Sequence, residues 1–154
     1  MSKVIEGEPK VIERKFLDIK IGDAVTLTWV EDGRKLNCVC GELPEESFRE
    51  ALKGFKLLVA KICELPGTFM IDAIMRKVAI KHNAEGDAKE FTFVCYKTLG
   101  KEVSNSPLNI TTPSIGIETV KNLEENFEEL ITNLYFEASA YLDSEKAQLE
   151  FGDE

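Results

Sequence analysis

Apolar and polar residues alternate from about residue 17 to residue 40, which is the period of a β-strand buried on one face. The segment VIERKFLDIKI (11–21) ends in such an alternation, so we expect a strand in its second half. The next segment, VTLTWVEDGRKLNCVC, alternates on both sides of Asp32-Gly33. Because this dipeptide tolerates the positive φ angles of a type I′ turn, the segment predicts a β-hairpin.

A helical spacing follows the hairpin. Pro44 and two glutamates form a first turn of the kind that begins a helix, and Pro66-Gly67 ends the pattern. Gly54 lies inside this predicted helix, where it costs about 1 kcal/mol relative to alanine, and we expect it to mark close packing against a strand. The apolar residues recur every three or four positions: Phe48, Ala51, Leu52, Phe55, Leu58, Val59 and Ile62.

The second half of the chain repeats this order. Residues 69–81 predict a long strand, and after a polar turn Tyr96 lies on the face opposite to Phe93 in the next strand. A short strand at 108–110 and a long amphipathic helix from about residue 117 follow. One face of the long strand is expected to hold Ile74, Arg76, Val78 and Ile80. The apolar stripe of the last helix is Val120, Leu123, Phe127, Leu130, Ile131, Leu134, Ala138 and Tyr141.

The order β-β-β-α-β-β-β-α predicts an α+β fold. We expect two β-β-β-α units with antiparallel sheets and two amphipathic helices, the second long and acidic. The chain would form a single domain (1–154) with possible pseudo-repeats at 11–65 and 68–146 and an acidic tail at 147–154. Two arrangements stay open: a pseudo-twofold with exposed sheets and packed helices, or one mixed sheet with both helices on one face.

The net charge of −9 is confined to the last 37 residues of the chain. Residues 118–154 contain eleven acidic residues and two lysines, whereas residues 1–117 contain seventeen of each sign. The chain has no run of eighteen apolar residues and no apolar signal segment, so we expect an intracellular, cytoplasmic protein with no membrane contact. Its four cysteines fit that compartment as small hydrophobic residues.

The sequence shows no pattern of known catalytic chemistry. His82 is the only histidine and falls beside a polar turn, so no base stands ready for a nucleophile. No glycine-rich phosphate loop is present. Cys38 and Cys40 share one face of a strand, which suits a sheet core better than a zinc site. The sequence therefore predicts no enzyme, no metal and no cofactor.

Basic residues alternate with strand aromatics in the first hairpin and in residues 76–101. Single-stranded nucleic acid is bound by this combination, because cations contact phosphates and aromatic rings stack on bases. Trp29 and Tyr96 are the expected stacking residues. An alternative places the aromatics in the core and the lysines on an ordinary solvated face, since aromatics are common on strands. The candidate nucleic-acid-binding residues are Trp29, Arg34, Lys35, Arg76, Lys77, Lys81, Lys89, Tyr96 and Lys97.

The acidic last helix and tail predict a protein partner. A row of carboxylates can imitate a phosphate backbone, so an alternative function is a protein-interaction module or host-factor inhibitor that occupies a basic groove. The other interpretation of the tail is a solubilising terminus. A homodimer is expected if the two halves do not close a core alone. The candidate partner-binding residues are Glu124, Glu125, Glu128, Leu149 and Phe151.

Two segments, LNITTPSI (108–115) and AYLDSEKAQLEF (140–151), resemble parts of a family of small phage-encoded proteins. They are similar to an Asn-Thr-Pro stretch after a strand and to the end of a long acidic helix in that family. Here two residues separate Asn109 from Thr112-Pro113, and Lys146 is the one base before the Ala-Gln pair. Genes of this family often lie near recombination or replication genes. The resemblance implies a phage or prophage context and an accessory role with nucleic acid.

Overall fold

The computed structural model describes residues 13–99 and 107–144. In these residues the strands are β1 (Lys15–Ile21), β2 (Val25–Glu31), β3 (Arg34–Cys40), β4 (Ile74–His82), β5 (Ala88–Lys97), β6 (Leu108–Thr111) and β7 (Ile115–Gly116). The helices are α1 (Glu46–Lys53), α2 (Lys56–Ile62), α3 (Ile117–Leu123) and α4 (Phe127–Leu142), and a 3₁₀ turn covers Gly67–Met70. The predicted α+β class is confirmed.

All seven strands belong to one antiparallel sheet. Its order is β3-β2-β1-β4-β5-β6, and β7 pairs with β5 beyond the end of β6. Each half of the chain contributes a meander, and the two meanders meet where β1 pairs with β4. The order of the two β-β-β-α units is thus roughly as expected, but their strands form a single sheet, with the helices on one face of it.

The first hairpin has the predicted turn. Asp32 and Gly33 both have positive φ angles, 53° and 75°, as a type I′ turn requires. Trp29 pairs with Leu36 across the hairpin and Val25 pairs with Cys40. Because Val25, Leu27 and Trp29 alternate along β2, all three side chains enter the core.

Phenylalanine rings join the sheet to the helices. Phe55 lies 5.5 Å from Phe93 and 6.0 Å from Phe127 between ring centroids, and Phe127 lies 4.8 Å from Phe91. Phe127 packs edge-on against Phe55 and Phe91, a geometry that aromatic pairs favour. The cluster fixes α2 and α4 against β5, so the core lies on one face of the sheet.

Both predicted helices are interrupted. The first ends at Lys53 and resumes at Lys56, and the last ends at Leu123 and resumes at Phe127. The prediction that Gly54 packs against a strand is wrong: a Cβ added there would lie 3.1 Å from Leu130 Cδ2 on α4. Gly54 therefore marks the close approach of two helices.

The predicted long strand over 69–81 is shorter in the structure. Its first residues form the 3₁₀ turn, and β4 begins at Ile74. A register shift between Met75 and Lys77 inserts one residue into β4, so Met75 and Val78 are buried while Ile74 is 50% exposed. The expected face of Ile74, Arg76, Val78 and Ile80 is wrong in its first half, because a bulge reverses the alternation.

Thr112, in the segment LNITTPSI, has a structural role. It lies between β6 and β7, which both pair with β5, and it is buried. Its Oγ1 accepts a hydrogen bond of 3.0 Å from the Phe93 backbone N–H and donates one of 2.9 Å to the Pro113 carbonyl oxygen. A hydroxyl thus satisfies the backbone donor of β5 where the edge strand is interrupted.

We expect the substitution Thr112→Val to destabilise the protein by about 1–3 kcal/mol, because it leaves a buried backbone N–H without an acceptor. Thr112→Ser is the matched control, since it keeps the hydroxyl and loses about 0.8 kcal/mol for one methyl group. Urea unfolding followed by circular dichroism measures both. Equal losses in the two variants would show that the hydroxyl does not stabilise the fold.

Candidate nucleic-acid interface

The face of the sheet turned away from the helices, here called the open face, is a candidate binding surface. Its side chains alternate with the core residues and are half-buried or exposed. The helices that the structure describes all pack on the other face. By register and alternation the open face carries Lys15, Asp18, Lys20, Thr26, Thr28, Val30, Lys35, Asn37, Val39, Ile74, Lys77, Ala79, Lys81, Glu90, Thr92, Val94, Tyr96, Asn109 and Thr111.

Two lysines lie opposite each other on the central strands of the open face. Lys20 on β1 pairs in register with Lys77 on β4, and these are the two central strands. Like charges directly opposite each other in an antiparallel pair are destabilising. Asp18 offsets part of this repulsion through an ion pair of 3.3 Å with Lys77. Lys20 has no ion pair among the described residues, so its charge is available to an anion.

Tyr96 and Arg76 form a stacked pair near the end of β5. The Arg76 Cζ lies 4.5 Å from the centroid of the Tyr96 ring, within cation–π range. The bulge in β4 places Arg76 in this position. Its Nε is buried and has no hydrogen-bond acceptor in the part of the chain that the structure describes. The pair therefore combines two half-buried planar groups with a buried donor that has no acceptor.

The prediction that Trp29 is exposed for stacking is wrong. Its side chain is 1% exposed, and its Nε1 donates a hydrogen bond of 3.0 Å to Glu31 Oε1. The ring faces Phe16 in the core, with 6.4 Å between centroids. A core residue of this kind contributes to stability and offers no surface to a base.

Lys97 is also held away from the open face. Its Nζ donates a hydrogen bond of 2.9 Å to the Phe69 carbonyl oxygen and forms an ion pair of 3.3 Å with Asp72. It lies 4.1 Å from the centroid of the Phe69 ring. Lys97 therefore fastens the 3₁₀ turn to β5, and this structural role accounts for its contacts.

The remaining predicted basic residues are exposed. Lys35 on the edge strand and Lys81 on β4 lie on the open face, and neither has an ion pair among the residues described. Arg34 lies beside the hairpin turn, and Lys89 lies next to the turn that joins β4 and β5. Lys20 was missed by sequence reasoning because it lies in β1, far from residues 76–101. The available signal was the alternation of the polar Lys20 with the apolar Ile19 and Ile21.

The acidic residues of α4 face away from the sheet. Glu128 is exposed and forms an ion pair of 2.7 Å with Lys121, whose pKa this hydrogen bond raises. Glu124 and Glu125 lie in the break before α4. Glu125 is exposed, whereas Glu124 is half-buried and its Oε1 lies 3.7 Å from Lys61 Nζ. The other predicted partner-binding residues, Leu149 and Phe151, lie outside the described residues.

Groups with other chemistry are dispersed or buried. Cys38 and Cys40 are buried in the sheet core, as expected. Within residues 13–99 and 107–144, no three histidine, cysteine or acidic side chains group as metal ligands would. His82 is half-buried, and burial together with the nearby Lys15 lowers its pKa.

Comparisons with protein families, with curated proteins and with solved structures found no match to this chain. The resemblance to phage-encoded proteins stays a prediction, and part of its second segment (145–151) lies outside the described residues. None of the described helices combines the length and apolar character needed to span a membrane.

The Lys20–Lys77 pair gives a stability prediction. Lys20→Gln should stabilise the protein by about 0.2–1 kcal/mol at low salt, because it removes the like-charge pair. The gain should shrink as salt screens the repulsion. Lys35→Gln is the matched control, since Lys35 lies opposite the uncharged Val30. Thermal unfolding at several salt concentrations measures this. A Lys20→Gln variant no more stable than the control at low salt would contradict the repulsion argument.

Proposed function

We propose that this protein binds single-stranded nucleic acid along the open face of its sheet. The observation that carries the proposal is the Lys20–Lys77 pair on the two central strands of that face, with Lys81 and Arg76 also on β4 and Lys35 on the edge strand β3. Each phosphate that these cations contact would release counterions. A bound phosphate would also reduce the repulsion between the two central lysines.

A single strand fits this surface better than a duplex. The six strands in the main order of the sheet span roughly 24 Å at their usual spacing, which matches the shorter site sizes of single-strand binding proteins. Threonine and asparagine side chains between the lysines supply neutral hydrogen-bonding groups. Tyr96 and Arg76 supply planar surfaces on which a base can stack.

The acidic helix supports a single orientation of approach. The exposed glutamates of α4 lie on the side of the sheet opposite to Lys20 and Lys77, so the two faces carry charge of opposite sign. A polyanion is attracted by one face and repelled by the other. The acidic tail, which lies outside the described residues, would serve partner recruitment, and the setting would be a phage or prophage accessory system.

Fluorescence anisotropy of a labelled dT oligonucleotide tests the proposal. We expect binding at low salt that weakens steeply as salt rises, because it depends on counterion release. No binding at low salt would overturn it. Lys20→Gln with Lys81→Gln should reduce the slope of log K against log salt by about 1.4, or about 0.7 for each lost phosphate contact.

Lys61→Gln with Lys121→Gln is the matched control for that double variant. It makes the same change in charge at two lysines of the helical side, which form surface ion pairs of small energy. We expect its salt slope to equal that of the unaltered protein. Equal slopes in both double variants would show that net charge, rather than the open face, determines binding.

A protein partner on α4 is the second candidate function. Phe136 is 67% exposed on the same helix as Glu128 and Glu129, and a buried aromatic ring can anchor a protein interface when a partner covers it. A partner with a basic groove would contact both kinds of group. If so, immobilised protein should retain a basic partner that Phe136→Ala releases and that an oligonucleotide displaces. Retention unaffected by Phe136→Ala would reject α4 as the contact surface.

A further inference from the structure

A cleft at one end of the open face lies between α1, the turn joining β1 to β2, and the start of β4. Its volume is about 400 Å³, within the range of small-molecule pockets. We infer that this cleft binds a nucleotide that carries a terminal phosphate, either as a free nucleotide or at the end of a strand. The strand-end form deepens the proposed function and rests on it.

The wall of the cleft nearest the sheet is the stacked pair of Arg76 and Tyr96. Planar surfaces of this kind bind the flat face of a base. The buried Nε of Arg76 has no acceptor among the residues described, and such a donor costs free energy until an acceptor reaches it. Because that Nε is buried, a ligand oxygen would instead contact the terminal nitrogens of the half-buried guanidinium.

The opposite wall is α1, which contributes Arg49 and Lys53. Lys53 already forms an ion pair of 3.1 Å with Glu50. Arg49 is exposed and makes no ion pair within the described part of the chain. A guanidinium in this state can bind two phosphate oxygens at once, which is the geometry that favours arginine at phosphate sites.

Two carboxylates also line the cleft, Asp23 from the turn and Glu46 from α1. They would repel any phosphate in the cleft, so a ligand that gains further contacts there binds better than inorganic phosphate. They would accept hydrogen bonds from a sugar hydroxyl or a base N–H. The lining therefore favours a ligand that joins a phosphate to hydrogen-bond donors and a flat ring, and a nucleotide has all three.

The cleft is continuous with the open face. Tyr96 lies on the open face by its register with Ile74 and also lines the cleft. A strand lying across Lys20 and Lys77 would reach the cleft with its last nucleotide. The phosphate of that nucleotide would then meet Arg49, so the site would distinguish a phosphorylated end from a hydroxyl end.

Calorimetric titration of the full chain with the four deoxynucleoside 5′-monophosphates, the matching nucleosides and inorganic phosphate tests the cleft. At least one monophosphate should bind about tenfold more tightly than its nucleoside, because hydrogen bonds to charged groups are the stronger ones. Arg49→Gln should remove that difference. Lys121→Gln, which removes one exposed positive charge on α3 outside the cleft lining, is the matched control and should leave it unchanged. Equal affinity for monophosphate and nucleoside, or binding of inorganic phosphate alone, would overturn the inference.

Labelled oligonucleotides with a 5′-phosphate, a 3′-phosphate or neither distinguish the two sources of the ligand. We expect one phosphorylated end to bind more tightly, and Arg49→Gln to abolish that preference while keeping strand binding. Lys20→Gln with Lys81→Gln should weaken all three and keep the preference. Strand binding without end preference or monophosphate binding would overturn the cleft site and keep the proposed function. Monophosphate binding without strand binding would keep the cleft site and overturn the proposed function.

Discussion

The pairing of β1 with β4 is the interaction on which the rest of the structure depends. It joins the two meanders through residues about sixty positions apart in the chain, and it places Ile19 opposite Val78 in the core. The same register places Lys20 opposite Lys77 on the open face. A shift by one residue would turn the apolar pair to solvent and the lysines toward the helices. The hydrophobic requirement at Ile19 and Val78 therefore also determines where the central charges lie.

The aromatic cluster explains why only one face of the sheet is covered by the described helices. Phe55 lies in the break between α1 and α2, where it contacts both Phe93 on the sheet and Phe127 at the start of α4. One ring thus ties three elements to the same side. Gly54 beside it allows Leu130 to approach closely. The chain therefore does not form the continuous helix that the pattern predicts, and Phe55 lies between α1 and α2.

Local periodicity was sufficient to predict β1, β2, β3, β5 and β6, the Asp32-Gly33 turn and the opposite faces of Phe93 and Tyr96, because each depends on neighbouring residues. It did not predict β7 or the start of β4. It was not sufficient where one inserted residue changes the register. The bulge before Lys77 removed Arg76 from the predicted face, and no local signal marks it. Trp29 could have been placed correctly, since it alternates with buried Leu27, but its chemistry suggested a stacking role. The Lys20–Lys77 pair depends on long-range pairing, which the sequence does not specify.

The bulge in β4, which the sequence analysis did not predict, also determines where Arg76 lies in the candidate site. Without the bulge, the alternation of β4 would place Arg76 on the same face as the buried Val78 and Ile80. The extra residue instead leaves Arg76 against Tyr96 while Lys77 still faces Lys20. Two consecutive residues thus carry two unfavourable features, an unsatisfied donor and a like-charge pair. A phosphate bound between Lys20 and Lys77 would relieve the like-charge pair, and for this reason we propose the open face and the cleft as one binding surface.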